Sequence, residues 1–144
     1  MALRRRNVQV DYVVLADAVA TESGKHYIHG GGWDTIFAGS FPATHPVLAV
    51  AVRLRVPWGA TNEPHEITLD LLDSDGNSVL PTVPPGGKMT VGRPPQLPPG
   101  SDQAVPLAFN LASVTFQHPG AFEIVVRIDG LDAYRSPFRV LALQ

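Results

Sequence analysis

The 144-residue sequence contains no cysteine, and this absence removes several kinds of chemistry at once. Disulfide bonds, thiol nucleophiles and thiolate metal sites all require a cysteine side chain. Lysine is also scarce, with Lys25 and Lys88 alone, and the formal net charge is -2. A chain with that charge has no general attraction to nucleic acid or to an anionic membrane surface. The composition therefore predicts neither of these as a partner.

Long apolar runs are missing as well, since none approaches the roughly 18 residues of a membrane-spanning helix. The basic triplet at residues 4–6 and the apolar stretch ending at residues 18–20 together resemble a secretion signal. Asp11 and Asp17 interrupt that stretch, however, and its residues alternate in the manner of a strand. We interpret it as part of the mature fold and predict a cytoplasmic protein.

Helical periodicity is absent, because no segment repeats its apolar residues every 3.6 positions over three turns. Alternation with a period of two is frequent instead, and it is clearest in residues 47–56 and 122–128. Seven to nine short strands separated by turn residues are typical of an antiparallel β-sandwich, here of Ig-like or C2-like appearance. We predict an all-β fold with a flexible basic tail at residues 1–7 and a single sandwich domain at residues 8–144.

Proline is concentrated in residues 81–106, which hold eight of the fourteen prolines. Proline cannot donate to a strand ladder and fixes φ near -65°, so this segment is predicted to be neither a central strand nor a helix. We expect a long connection with at most a short edge strand at residues 88–91. Connections of this length are usually functional or disordered, although a stiff strap across a sheet edge is the interpretation that we favour.

The stretch from Gly24 to Asp34 reads as the second arm of a hairpin that runs into three glycines and Trp33. Adjacent glycines within a strand pattern indicate a bulge, a sharp bend or a close backbone approach. The sequence leaves open whether this irregularity serves packing or a ligand. Residues 8–20 and 47–56 are apolar on both faces, which fits either a covered sheet or a self-association surface.

Two motifs carry a resemblance to a known family: Gly-Gly-Gly-Trp-Asp at residues 30–34 and Gly-Arg-Pro-Pro at residues 92–95. With the closing hairpin at Pro119-Gly120, the chain resembles a family of small bacterial proteins, mainly actinobacterial, known as a domain of unknown function. The resemblance covers nearly the whole chain. It implies a β-sandwich but no established activity, cofactor or partner, so it assigns no functional residues.

The five histidines raise the question of a metal site. His26 and His29 lie three residues apart on a predicted strand, so their side chains point to opposite faces. A zinc or iron site needs three or more ligands that converge on one point. Residues 73–77 resemble the start of a calcium loop, but Ser78 and Pro84 stand where an EF-hand requires glycine and glutamate. We predict no metal and no cofactor.

Catalytic motifs are equally scarce, because no serine lies in a Gly-x-Ser-x-Gly elbow and no pair of carboxylates is isolated from a turn or an outward face. We therefore predict that the protein is not an enzyme and has no catalytic residues. Tryptophan and arginine are the commonest anchors of binding surfaces. The candidate interaction residues are Trp58, Asn62, Arg93, Trp33 and Asp34. Trp33 is expected to be buried, whereas Trp58 lies in a predicted loop and is expected to be partly exposed.

Three functions remain open from the sequence. The leading hypothesis is a non-catalytic module that binds another protein or copies of itself. The alternative is a β-sandwich that binds a small molecule or a carbohydrate through Trp58 and its loop. A metal enzyme of cupin type with histidine ligands is the third, and the spacing of the histidines disfavours it.

Overall fold

A computed structural model of the protein describes residues 7–144 and contains two β-sheets packed face to face. The predicted basic tail lies outside the described residues except for Asn7. The strands of the described chain are β1 (Gln9–Glu22), β2 (Lys25–Gly31), β3 (Thr35–Ala38), β4 (Ala43–Val56), β5 (Pro64–Asp73), β6 (Gly86–Thr90), β7 (Gln103–Phe116), β8 (Gly120–Ile128) and β9 (Leu131–Ala142). One turn of 3-10 helix, Trp58–Ala60, follows β4. No helix within residues 7–144 has the length and apolar character needed to cross a bilayer.

The first sheet has the strand order β2-β1-β4-β7 and the second has the order β3-β9-β8-β5-β6. The prediction of a β-sandwich is confirmed. All pairs in the first sheet are antiparallel, but β3 runs parallel to β9 at the edge of the second. Alternation within a strand cannot indicate that pairing, because it shows which residues share a face and not which strands are neighbours.

The main core lies between the sheets and uses the alternation that the sequence shows. Leu48, Val50, Val52, Leu54 and Val56 of β4 are completely buried, as are Leu69 and Leu71 of β5 and Ile124 and Val126 of β8. Phe116, Phe122 and Phe138 pack together at one end, with ring centroids 4.9 to 6.1 Å apart. Burial of these faces supplies the dominant stabilisation of the fold.

A second, smaller cluster lies on the outer face of the first sheet and includes the fully buried Ala16, Ala49 and Ala51. The β1–β2 hairpin covers it by reaching across β4 to β7. Asn110 of β7 donates a hydrogen bond to the carbonyl of Val19 (3.4 Å), and the Leu107 carbonyl oxygen lies 2.8 Å from Nε2 of His26. The second apolar face of β1 and β4 is therefore covered by the chain itself, and alanine side chains leave room for the crossing hairpin.

The first part of the proline-rich segment runs along the edge of β5, and its last residues form the start of β7. β6 covers residues 86–90, close to the edge strand expected at residues 88–91. Before it, the carbonyl of Pro85 accepts a hydrogen bond from the amide of Leu69 (3.0 Å), so the chain lies along the edge of β5. The expected end of the connection at residue 106 is wrong, because β7 begins at Gln103. Pro106 is tolerated within β7 because that strand forms a sheet edge.

Candidate functional site

The turn after β4 holds Trp58 in a fixed position at the surface. The amide of Ala60 donates to the carbonyl of Pro57 (2.9 Å), which closes the single 3-10 turn. Thr61, almost completely buried, donates its hydroxyl to the carbonyl of Trp58 (2.7 Å). Trp58 itself is only partly buried, as the sequence predicted.

Arg93 lies over the indole of Trp58, with its guanidinium carbon 4.1 Å from the ring centroid. Its Nε donates to the hydroxyl oxygen of Thr61 (2.6 Å), and its Nη2 donates to the carbonyl of Trp58 (2.7 Å). A cation over an aromatic ring is attracted by the negative face of the ring. One stacking contact and two hydrogen bonds therefore fix the guanidinium plane.

The backbone before Arg93 is fixed as well. The amide of Asn62, a residue with φ of 62°, donates to the carbonyl of Val91 (2.8 Å), and the side chain of Gln103 donates to the carbonyl of Gly92 (2.7 Å). Three of the five candidate residues, Trp58, Asn62 and Arg93, thus come together, although Arg93 follows Trp58 by 35 positions along the chain. We name Trp58, Thr61, Asn62 and Arg93 the Trp–Arg platform.

The charge of Arg93 is unusual among the six arginines of residues 7–144. The other five each have a carboxylate within salt-bridge distance: Arg53 and Arg55 pair with Asp11, Arg127 with Asp70 and Asp132, Arg135 with Glu123 and Asp132, and Arg139 with Asp34. Arg93 has none among the described residues, and both of its acceptors are neutral oxygens. The platform therefore presents an exposed, ordered and uncompensated positive charge.

An open cleft of about 600 Å³ lies next to the platform. It is lined by Asn7, Gln9, Arg55, Pro57, Trp58, Gly59, Gly100 and Asp102. Nη1 of Arg55 lies 3.8 Å from the carboxylate of Asp102, so this wall of the cleft contains both signs of charge. The cleft is polar and has no dominant charge of its own.

The other two candidates, Trp33 and Asp34, lie at the opposite end of β4. The ring of Trp33 is 6.1 Å from that of His45 near the start of β4, whereas Trp58 follows the end of the strand. Trp33 packs against the main core but is half-buried rather than buried, and its Nε1 is buried without a hydrogen-bond partner among the described residues. Asp34 accepts from the hydroxyl of Thr35 (2.9 Å) and lies 3.6 Å from Arg139. The structure does not bring these two residues to the platform.

Two of the three glycines before Trp33, Gly30 and Gly31, lie close to neighbouring side chains. A Cβ atom on Gly30 would overlap the carboxylate of Asp17, and one on Gly31 would lie 2.6 Å from Cγ2 of Ile28 and 3.2 Å from Cγ1 of Val14. A side chain at either position would therefore force Asp17 or Ile28 to move, and Gly30 also has a φ of 60°, which favours glycine. These contacts account for both glycines without a ligand.

His65 lies beneath the platform, and the sequence analysis missed its role. It is 7% exposed, with Nε2 2.7 Å from the carbonyl oxygen of Ala60 and Nδ1 3.3 Å from the carboxylate of Asp129. Burial opposes the charged imidazolium, but the hydrogen bond to Ala60 and the hydrogen bond and charge of Asp129 outweigh it, so the pKa of His65 is raised. Only the doubly protonated ring donates to both acceptors at once. The sequence does contain an indication that His65 is buried, because it alternates in register with the inward residues Ile67 and Leu69.

Asp129 completes this arrangement. Its carboxylate accepts a hydrogen bond from the amide of Glu66 (2.8 Å), and this bond, together with His65, lowers the pKa of Asp129. The pair therefore ties the Trp58 turn to the β8–β9 turn. Within residues 7–144, this arrangement included, no three His, Asp or Glu side chains are placed to hold a metal ion.

Comparison with known proteins identifies a family but no activity. A model for a family described as being of unknown function (DUF6941) matches residues 11–141, so the chain belongs to that family, in agreement with the predicted resemblance to a domain of unknown function. No curated protein matches the sequence. Among solved structures, the Pseudomonas fluorescens alkylpurine DNA glycosylase AlkC bound to DNA containing an abasic site analogue is 12% identical, with a TM-score of 0.44. The match covers 94% of this chain and 30% of that one, and a likeness of this degree carries no conclusion about function.

Proposed function

We propose that this member of the DUF6941 family is a non-catalytic interaction module that binds another protein through the Trp–Arg platform. The observation that carries the proposal is the exposed guanidinium of Arg93, held over Trp58 by neutral hydrogen-bond acceptors. Tryptophan and arginine are enriched among the residues that dominate binding energy at interfaces. A side chain that is already ordered also loses less conformational entropy when a partner binds.

The β1–β2 hairpin covers the outer face of the first sheet. This favours a different protein, rather than a second copy of this chain, as the binding partner. The apolar second face of β1 and β4, which the sequence left as a candidate self-association surface, is occupied by the β1–β2 hairpin. One argument for self-assembly is thereby removed. A cytoplasmic location, predicted from the sequence, is part of this proposal.

The test is affinity purification of partners with the full chain and matched variants. Proteins that co-purify with the wild type are identified by mass spectrometry, and the mass of the complex is measured by light scattering. We expect a partner retained by the wild type and by Arg139→Gln, an exposed arginine paired with Asp34 away from the platform. The same partner should be lost with Arg93→Gln and Trp58→Ala. A set of retained proteins that is identical for all four chains would contradict the proposal, and a dimer of this chain that depends on Arg93 would indicate self-assembly.

The cleft beside Trp58 favours a small-molecule binder as the second candidate. Its volume of about 600 Å³ lies within the range of roughly 300–1,000 Å³ that is usual for ligand pockets. Its polar and charged lining would suit a hydroxylated ligand such as a sugar. A thermal-shift screen of sugars tests this candidate, because a stabilising sugar should lose its effect in Asp102→Asn but keep it in Arg139→Gln.

A further inference from the structure

We infer that the Trp–Arg platform recognises a carboxylate group, supplied by an acidic segment of the partner protein. This inference rests on the proposed function and adds the chemistry of the contact. Each of the other five arginines of residues 7–144 already has a carboxylate partner in this chain. Arg93 is fixed in place without one, so the position is ordered in advance for an anion from outside.

The hydrogen bonds of Arg93 show which part of the guanidinium is free. A guanidinium has five N–H donors in a fixed planar arrangement. The edge formed by Nε and Nη2 is occupied, because Nε donates to Thr61 Oγ1 and Nη2 donates to the Trp58 carbonyl. Nη2 has a second N–H, which points the same way as one N–H of Nη1. These two N–H bonds form the other edge of the guanidinium, and no acceptor among the described residues is bonded to it. Its two parallel N–H bonds match the two oxygens of a carboxylate.

The stacking contact sets the direction from which the anion approaches. The guanidinium carbon lies 4.1 Å from the centre of the Trp58 ring, so the indole covers one side of the group and an acceptor reaches the free edge from the solvent. Val91 and Gly92, held by Asn62 and Gln103, fix the backbone from which the side chain extends. The residue that carries the carboxylate can then place its methylene groups against the exposed part of the indole.

The charge balance favours a carboxylate over a phosphate. A phosphate monoester carries about 1.5–2 negative charges near neutral pH, whereas a carboxylate carries one. Arg93 offers a single positive charge, and the arginine that lines the neighbouring cleft, Arg55, is already paired with Asp11. A single carboxylate therefore fits the single charge of Arg93 better than a phosphate monoester does.

The test is an NMR titration with defined peptides. The probe is an acetylated and amidated peptide of alternating glutamate and glycine, and its control has glutamine in place of every glutamate. Because one exposed contact can correspond to a dissociation constant of about 1 mM, the titration extends to roughly 10 mM at low salt. We expect saturable shifts of the Arg93 Nε–H signal and of one indole N–H signal with the glutamate peptide alone. The second indole signal should stay in place, because Nε1 of Trp33 is buried.

Variants of Arg93 test whether the glutamate peptide binds to the guanidinium group of this residue. Arg93→Gln and Arg93→Lys should each weaken binding of the glutamate peptide at least ~10-fold, since lysine keeps the charge but loses the two-point geometry. Arg139→Gln should leave the dissociation constant unchanged. Unchanged backbone amide signals away from the platform will show that the variants are folded. Binding that survives Arg93→Gln, or no saturable binding by the wild type, would overturn the inference.

The inference and the proposed function fail in different ways. A phosphoserine peptide or inorganic phosphate that binds more tightly than the glutamate peptide would overturn the choice of carboxylate. If a co-purified partner depends on Arg93 but no glutamate peptide binds, the interaction module stands and the carboxylate inference is wrong. If the peptide binds at Arg93 but no protein partner depends on that residue, the site is supported and the proposed function is wrong.

Discussion

The two motifs of this chain, the glycine corner (residues 30–34) and the arginine loop (residues 92–95), use glycine for different reasons. In the glycine corner, a Cβ atom on Gly31 would lie 2.6 Å from Ile28, whereas a Cβ atom on Gly92 would meet nothing within 4 Å. The first motif is constrained by close contacts between its backbone and neighbouring side chains at the surface. The second is constrained at its backbone oxygens and presents Arg93 at the surface. A glycine motif therefore does not by itself indicate either packing or binding.

The two tryptophans repeat this contrast. Trp33 packs against the main core, and its indole N–H is buried without a partner. Trp58 lies on a surface turn, where Arg93 covers the ring. Both side chains are half-buried, so the exposed fraction alone does not separate them. What separates them is the surroundings, which are apolar around Trp33 and charged around Trp58.

The largest effect that would test this comparison is expected for Trp33→Ala. Truncating a large aromatic side chain in a core costs roughly 3–5 kcal/mol of folding free energy, and we expect about 3 kcal/mol here because Trp33 is only half-buried. Urea unfolding of the variant measures this loss. A cost below about 1 kcal/mol would show that the glycine corner does not depend on its tryptophan.

A matched pair of glycine substitutions separates packing from presentation. Gly31→Ala places a methyl group against Ile28 and Val14, and because Ile28 is partly exposed and can move, we expect a cost of about 1 kcal/mol, the lower end of the range for overpacking. Gly92→Ala enters open space and should change stability by less than about 0.5 kcal/mol. Neither glycine has a positive φ, so backbone strain does not confound the pair. Equal costs in urea unfolding would contradict the contrast between the two motifs.

Much of the fold could be predicted from sequence because alternation reports directly on burial. Alternation predicts the inward residues of β4, such as Leu48 and Leu54, and both are completely buried. The parallel β3–β9 pair and the hairpin that crosses β4 could not be predicted, since both depend on which strands become neighbours. Long-range pairing leaves no periodic signal in a single sequence.

The candidate site could be predicted only one residue at a time. Trp58, Asn62 and Arg93 were selected for their residue types and loop positions, but their convergence depends on how the proline-rich segment closes against the β4–β5 turn. The sequence also cannot predict that Arg93 lacks a carboxylate partner among residues 7–144. This feature becomes visible only when the positions of all neighbouring carboxylates are known.

Trp58→Ala should have a much smaller effect on stability than Trp33→Ala. The variant loses partial burial and a stacking contact with Arg93, and exposed cation–π contacts are worth about 0.5–1 kcal/mol. We expect a loss of about 1 kcal/mol in urea unfolding, together with loss of partner binding. A cost equal to that of Trp33→Ala with partner binding intact would make Trp58 a core residue and remove the proposed anchor.

The smallest effect is a dependence of stability on pH that arises beneath the platform. Because the pKa of His65 is raised on folding, protonation of its ring stabilises the folded chain. That contribution is complete below the unfolded pKa of about 6.5 and is lost as the pH rises through the folded value. The free energy of unfolding should therefore decrease as the pH is raised from about 6 into the alkaline range.

The difference between variants isolates His65 from the other histidines. His65→Gln should remove this decrease, whereas His29→Gln, which changes an exposed side chain, should keep it. Asp129 acts in the opposite sense, since its pKa is lowered and its contribution is lost as the pH falls through its folded pKa, below the ordinary value. Chemical denaturation at a series of pH values, with an NMR titration of the His65 ring, measures both. A His65 ring that titrates below about 6.5, or a pH profile unchanged in His65→Gln, would show that the Ala60 and Asp129 contacts do not hold a charged imidazolium.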